Sequence, residues 1–551
     1  MTISRRAFSS GALSLAIGSQ LPAAAWAQAR PTLTAALNSI RAYGDAHLRH
    51  FNLPGMTLGV TAPNGFATVM NFGVADLATR ALIGPSTLFQ IGSLTKVMTA
   101  LVIHQLAAEG RLKLSDAASA LVPDIALPAA SAITVQHLLD HRSGLPDFTA
   151  IAPEDGLWTG FAPGEHYYYS NTGYEVLTRI AERAGGKPLA SLFAERIFAP
   201  LGMSLSRGAI VSADRARYAQ GYEAADVSIP FVRGTGLVPA PWVDWDSGAG
   251  SVGSTAADMN LFLRALAQLA QARPALGLDA AAASEFVRHA LPADVPGATY
   301  GNGLRHIREG GRDYFHHTGG MLSFSSAFHL DRASGVGAFA STSLSAFASY
   351  RPRLLTRFAA DVMTNFLAGR ALPYPSVLDT PVANIPSYIG RYSGAAGSFE
   401  IRAGKPLTIV ADGQSAELQS WGGEAFRTSH PRFRNFTLLF DRRPTGIAGA
   451  AWGPATYVRD GVTVKAAPSD PALALFAGRY TSPSPWWRTI TVVEREGRLW
   501  LGTETPLTRI GDNLWRAGKD SWSPERASFR DLVDGRPQTL VFSGETFRRG
   551  G

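Results

Sequence analysis

The chain has 551 residues, of which 46% are hydrophobic and only 17% charged, which excludes a disordered or fibrous protein and provides apolar mass for about two to four domains. A formal charge of +8 would suit nucleic acid or a membrane surface, but no run of about five or six like charges occurs, so the basicity is diffuse and points to neither partner. Cysteine is absent, which removes thiol nucleophiles, disulfides and thiolate metal sites together.

Residues 1–27 read as an export signal: Ser4-Arg5-Arg6-Ala7-Phe8, an apolar run through Leu13, Leu15 and Ile17, then Ala25-Trp26-Ala27 as a small-x-small cleavage site. The arginine pair resembles a twin-arginine signal, and the expected location of the mature chain is periplasmic or secreted. No other apolar stretch is long enough to span a bilayer, so no stable membrane insertion is expected once the signal is removed.

The pattern over residues 31–50 predicts a helix. Met56, Leu58 and Val60, then Thr68, Met70 and Phe72, alternate on two short segments around Pro63-Asn64-Gly65, which predicts an antiparallel hairpin. From Leu94 to Glu109 the chain is apolar nearly all round and Gly110 ends the pattern, as in a helix buried within a large core. Residues 115–290 read as helix and loop. Strand signals return over 315–330 and 336–344, and a closing helix follows near 354–366.

The expected fold is therefore α+β, an antiparallel sheet flanked by helices with an all-helical lobe, over residues 28–375. Beyond residue 376 short alternating segments repeat. Tyr388-Ile389-Gly390-Arg391-Tyr392 recurs as Phe476-Ala477-Gly478-Arg479-Tyr480, and the endings around Trp452–Tyr457 and Phe542–Phe547 follow at similar offsets. Two small antiparallel β-barrel-like domains, 376–468 and 469–551, account for this repeat, with the Pro-containing segment 467–471 between them.

Three elements carry chemistry. In Gly92-Ser93-Leu94-Thr95-Lys96 the hydroxyl and the ammonium stand one helical turn apart. A desolvated lysine can lose its proton near neutral pH and an arginine cannot, and only six residues of this arginine-rich chain are lysine. In Tyr169-Ser170-Asn171 a phenol and a carboxamide can converge on one point. In His316-His317-Thr318-Gly319-Gly320 a strand runs into glycines that would admit a substrate backbone and leave N–H groups for an oxyanion. The adjacent histidines lack an HExxH context or a third ligand at metal-binding spacing, so no metal and no cofactor is expected.

In this order the three elements resemble the signature of the penicillin-binding-protein and serine β-lactamase superfamily, in its class C β-lactamase-like branch with D-aminopeptidase, esterase and DD-carboxypeptidase relatives. The segments Leu138–Pro146, Pro200–Met203 and Gly253–Met259 are similar to flanking segments of those proteins. The resemblance implies an acyl-enzyme at Ser93, proton transfer shared by Lys96 and Tyr169, and substrate contacts at Asn171, His317, Thr318, Gly319 and Gly320. His317 stands where these relatives carry the lysine of Lys-Thr-Gly. A histidine of ordinary pKa is neutral at about pH 7.5 and gains charge towards about pH 6, which weakens the case for a penicillinase.

The trailing β domains resemble the layout of D-aminopeptidases, in which a His-x-Gly motif occurs and a C-terminal loop closes the active site. The expected substrates are D-amino-acid peptides, amides or small esters. Two alternatives remain, a class C-type β-lactamase and a non-catalytic protein that binds peptidoglycan fragments. The partner expected is a small molecule or short peptide, not nucleic acid, and the sequence leaves the oligomeric state open.

Overall fold

The computed structural model describes residues 30–128, 132–153, 156–345, 350–375, 382–404, 406–465 and 467–550. The signal-like segment 1–27 lies outside the described residues. The part of the chain before residue 376, the body, is built on an eight-stranded antiparallel sheet. Its order runs from Ala67–Gly73 through Gly55–Thr61, Gly337–Thr342, Ser325–Asp331, Arg312–Gly320, Leu304–Glu309 and Thr299–Gly301 to Leu291–Pro292.

Three central strands, Gly55–Thr61, Ser325–Asp331 and Gly337–Thr342, are buried along their whole length because helices cover both faces. On one face Leu33–His50 and Arg353–Leu367 pack together through Ile40, Tyr43, Phe358 and Met363. On the other, Thr95–Ala108, Asn171–Gly185 and Ala256–Ala270 form the larger core. The predicted first hairpin, the buried helix after Leu94 and the closing helix all appear at these positions. The three strands between Leu291 and Glu309 do not stand out in the sequence. Two of them are only two or three residues long, and the third, Leu304–Glu309, carries Arg305, His306, Arg308 and Glu309 in place of an apolar alternation.

The C-terminal region forms two closed eight-stranded antiparallel barrels, one from Gly390–Gly394 to Ala455–Arg459 and one from Gly478–Thr481 to Glu545–Arg549. The repeated Gly-Arg-Tyr opens each barrel. Tyr392 donates its hydroxyl to Tyr388 O and Tyr480 donates to Phe476 O, each at 2.8 Å, so the last residue of the motif ties back to its first. An arginine at the end of each final strand returns to the same turn. Arg459 donates to Ser387 O at 3.0 Å and Arg549 to Leu475 O at 3.1 Å, which satisfies carbonyls that the closure leaves without strand partners.

The second barrel is docked on the body by directional contacts. Trp158 donates to Pro524 O at 2.6 Å, and Trp522 stacks on His166 with ring centroids 4.4 Å apart. Arg488 pairs with Glu223 at 3.0 Å.

Candidate active site

Ser93 sits in the 3-10 turn Gly92–Leu94 that feeds the helix Thr95–Ala108, and that turn lies against the end of the strand Arg312–Gly320. The approach depends on glycine. Gly92 has φ +57°, and a Cβ there would stand 2.8 Å from Gly320 N. Ser326 fastens the same junction from behind, donating to Ile91 O at 2.5 Å.

One turn later Lys96 is fully buried in a helix whose residues from Thr95 to Leu106 are buried on every side. Its Nζ donates to Asn171 Oδ1 at 2.6 Å and to Ala249 O at 2.7 Å, and its third direction meets Ser93 Oγ at 3.3 Å. Burial, opposed by the carboxylates of Asp147 and Glu175, brings the Lys96 pKa down to about 7.

Tyr169 and Asn171 are placed by a helix cap. Ser170 precedes the helix Asn171–Gly185 and its hydroxyl accepts from Gly173 N at 2.9 Å while donating to Pro146 O at 2.7 Å. The cap leaves Tyr169 just outside the helix and Asn171 at its first position, both turned to Lys96. Nζ of Lys96 lies 4.9 Å from the centre of the Tyr169 ring. The phenol is hydrogen-bonded to Ser93, and burial outweighs that bond and pushes its pKa up.

Asn171 is held at both ends of its amide. Its Oδ1 accepts from Lys96, and its Nδ2 donates to Asp147 Oδ1 at 2.9 Å. Asp147 itself has its pKa raised to about 6, first by burial and then by Glu525, against hydrogen bonds from Asn171 and the charge of Lys96. Glu525 belongs to the second barrel. Its Oε1 accepts from Asp147 N at 2.8 Å and from the Tyr168 hydroxyl at 3.1 Å, and Ser543 donates to its other oxygen. A continuous chain of contacts thus runs from the barrel through Asp147 and Asn171 to Lys96.

The third element is brought to the same place. His317, Thr318 and Gly320 line one cavity with Ser93, Tyr169 and Asn171. Gly319 instead packs behind the strand, where a Cβ would stand 2.0 Å from Ile91 O, so its part is close packing of the strand on the serine turn. His317 is hydrogen-bonded to the Tyr300 hydroxyl at 3.1 Å and through Nδ1 to Thr318 O at 2.7 Å.

Burial, reinforced by Lys96 and Arg305, holds the His317 pKa at about 3. The expectation that mild acid makes it cationic is therefore corrected: His317 is neutral at pH 6 as at pH 7.5, because the buried ring cannot be solvated when charged. The His316 ring is hydrogen-bonded through Nδ1 to Phe328 O at 2.7 Å and lies tilted against His329, with ring centroids 4.2 Å apart. Among the described residues no group of three His, Cys, Asp or Glu is placed to hold a metal ion.

The cavity measures about 420 Å³. Sequence reasoning missed several of its residues. Asp147, Arg305 and Arg351 bring charge to it, and Phe148, Trp245, Trp486 and Trp487 form an aromatic side. Only the doublet Trp486-Trp487 carries a visible signal, two large apolar residues where a barrel connection is ordinarily polar.

Residues 40–359 match the family described as Beta-lactamase. The chain belongs to the beta-lactamase family. Among curated members it is 31% identical over 223 residues to penicillin-binding protein 4* of Bacillus subtilis, which covers 36% of this chain and 49% of that protein. It is also 31% identical over 174 residues to a D-aminopeptidase of Brucella anthropi, covering 28% of this chain and 33% of the relative. The match thus spans about half of the first relative's length and a third of the second's.

Among solved structures, D-amino acid amidase from Ochrobactrum anthropi SV3 complexed with L-phenylalanine superposes with a TM-score of 0.50 at 28% identity, over 61% of this chain and 100% of that one. The octameric penicillin-binding protein homologue from Pyrococcus abyssi gives a TM-score of 0.55 at 19% identity and shares the fold over 77% of this chain and 100% of its own. That share is larger than the part of the chain before the first barrel, so the likeness in fold reaches past the family domain.

Proposed function

We propose that this beta-lactamase family member is an exported acyl-serine hydrolase, in which Ser93 is acylated by amides or peptides of D-amino acids or by small esters. One observation carries the reading. Lys96 Nζ has two directions committed to carbonyl oxygens, at Asn171 and Ala249, and a third directed at Ser93 Oγ. In the ammonium form that third direction holds an N–H. In the amine form it holds the lone pair, and a pKa of about 7 makes the amine abundant at neutral pH.

As Ser93 Oγ bonds to the substrate carbonyl carbon, its proton passes to Lys96 and the carbonyl electron pair moves onto the oxygen. The N–H groups of Ser93 and Gly320 receive that oxyanion. When the tetrahedral species collapses, the departing nitrogen or oxygen takes the phenolic proton of Tyr169, which Lys96 then replaces. Because burial keeps Tyr169 protonated, it serves as donor and relay while Lys96 is the base. Water then attacks the ester on Ser93 by the reverse sequence of proton transfers.

The D-amino-acid substrate class is supported by the named activities of the D-aminopeptidase and D-amino acid amidase relatives. Export is supported by residues 1–27 alone and is tested by N-terminal sequencing of the mature protein, expected to begin after Ala27. Among the described residues no helix is long and apolar enough to cross a membrane. A β-lactam substrate is the second reading, favoured by Arg305 and Arg351 on the cavity wall, which could face its carboxylate.

The deciding experiment is labelling with a fluorophosphonate probe followed by a panel of nitrocefin, p-nitrophenyl acetate, D-Ala-p-nitroanilide and a D-Ala-D-Ala peptide. Covalent labelling at Ser93 with amide or ester turnover supports the proposal. A folded protein that takes no label refutes it and leaves the non-catalytic binding reading.

A further inference from the structure

We propose that Trp486 and Trp487 of the second barrel, facing Phe148 and Trp245 of the catalytic body, form a subsite that selects an aromatic side chain beside the scissile carbonyl. This deepens the acyl-serine reading and rests on it for the position of the carbonyl. All four rings line the cavity that contains Ser93, and none of them is fully buried.

The first argument is the repeat itself. The opening hairpin of the first barrel joins Gly390–Gly394 to Gly397–Arg402 through Ala395-Ala396 alone. In the second barrel the equivalent strands, Gly478–Thr481 and Thr489–Arg495, are joined by residues 482–488, and the two tryptophans sit in that longer connection. Barrel closure does not need the added length, since the first copy closes without it. What the addition provides is the pair of rings at the cavity.

The second argument is that the connection is held in place by contacts of its own. Pro483 and Pro485 restrict its backbone. Ser482 N donates to Arg488 O at 2.9 Å, and Arg488 is tied to Glu223 of the body at 3.0 Å. The two rings are anchored on opposite sides. Trp487 packs on Phe542 of the barrel with centroids 5.3 Å apart, and Trp486 on Trp245 of the body at 4.9 Å. Phe148 lies 6.1 Å from Trp486 and 6.5 Å from Trp487, in tilted arrangements that leave ring edges and faces exposed to the cavity. An aromatic substituent entering there would meet ring edges and faces already held by these contacts, and edge or tilted contacts are those that aromatic pairs favour.

Isothermal titration of the Ser93→Ala protein with D-phenylalanine amide and D-alanine amide tests the proposal without requiring turnover. The aromatic amide is expected to bind at least about tenfold more tightly, equivalent to ~1.4 kcal/mol. In Trp486→Ala and Trp487→Ala made on that background, the margin should shrink to about twofold. Trp486→Leu, which keeps an apolar contact with Trp245, serves if the alanine variant does not fold, and should also lose most of the margin. Equal affinities in the Ser93→Ala protein, or a margin that survives loss of both rings, would overturn the proposal and leave the doublet as a docking contact. The acyl-serine reading is judged separately, by fluorophosphonate labelling of the unaltered protein, so the two can fail independently.

Discussion

Replacement of Lys96 by methionine tests the central electrostatic claim without any substrate. In the unfolded chain a lysine titrates near 10.5, and in the folded protein burial brings Lys96 to about 7. Between those values the unfolded state binds more protons than the folded state, so stability rises with pH through the window from about 7 to 10.5. At pH 7 nearly the full cost of taking the ammonium out of water is present, and at pH 9.5 most of it is gone. The difference attributable to Lys96 is about 3 kcal/mol of added stability on raising the pH from 7 to 9.5.

Lys96→Met lacks that term. It also leaves the carbonyls of Asn171 and Ala249 without a donor, but that cost does not vary with pH. The assay is urea unfolding of both proteins at the two pH values. The wild type should gain about 3 kcal/mol more than the variant over this interval. In parallel, kcat/KM for an uncharged ester should rise with pH and level off above about 7, because the same proton controls both measurements. If the two proteins show the same pH dependence of stability, to within about 0.5 kcal/mol, Lys96 is not held near 7 and its assignment as base fails.

Four further outcomes are expected. Ser93→Ala should show no acyl adduct by intact-mass spectrometry after incubation with a slow substrate, and an adduct that persists would move the nucleophile elsewhere. Lys96→Arg keeps a charge but cannot release it, so turnover should fall by about a hundredfold or more, whereas a rate above about a tenth of wild type would show that charge alone suffices. Truncation after residue 466 removes Glu525, which anchors Asp147 and through it Asn171, so acylation by p-nitrophenyl acetate should drop at least about tenfold; an unaffected rate would show that the barrel contact is not needed to position the lysine. The nitrocefin rate should not climb between pH 7.5 and 6, since His317 stays neutral; a rise that follows an ordinary histidine titration would contradict the burial argument.

Much of the fold was legible because the signals were local. The alternation of Met56, Leu58 and Val60 against Thr68, Met70 and Phe72 marks a hairpin that the structure pairs residue for residue. Two matching Gly-Arg-Tyr segments mark the starts of two barrels, since each tyrosine closes a bond within its own copy. The strands between Leu291 and Glu309 were hidden, because pairing with neighbours, and not their own residues, makes them strands.

Ser93 and Lys96 were nameable from residue type and a spacing of one helical turn, and Tyr169, Asn171 and His317 from the resemblance of their motifs, in this order, to those of a known superfamily. Their electrical state was not. Lys96 near 7 and His317 near 3 follow from complete burial, which depends on what the folded chain places around them. Nor could the sequence pair Asp147 with Glu525, or set Trp486 against Trp245, across separations of hundreds of residues. Residue type and short-range spacing determined which groups were available for chemistry. The docking of the second barrel on the catalytic body determined which carboxylate holds Asp147 and which rings wall the cavity, since only packing brings distant segments within hydrogen-bond and van der Waals range.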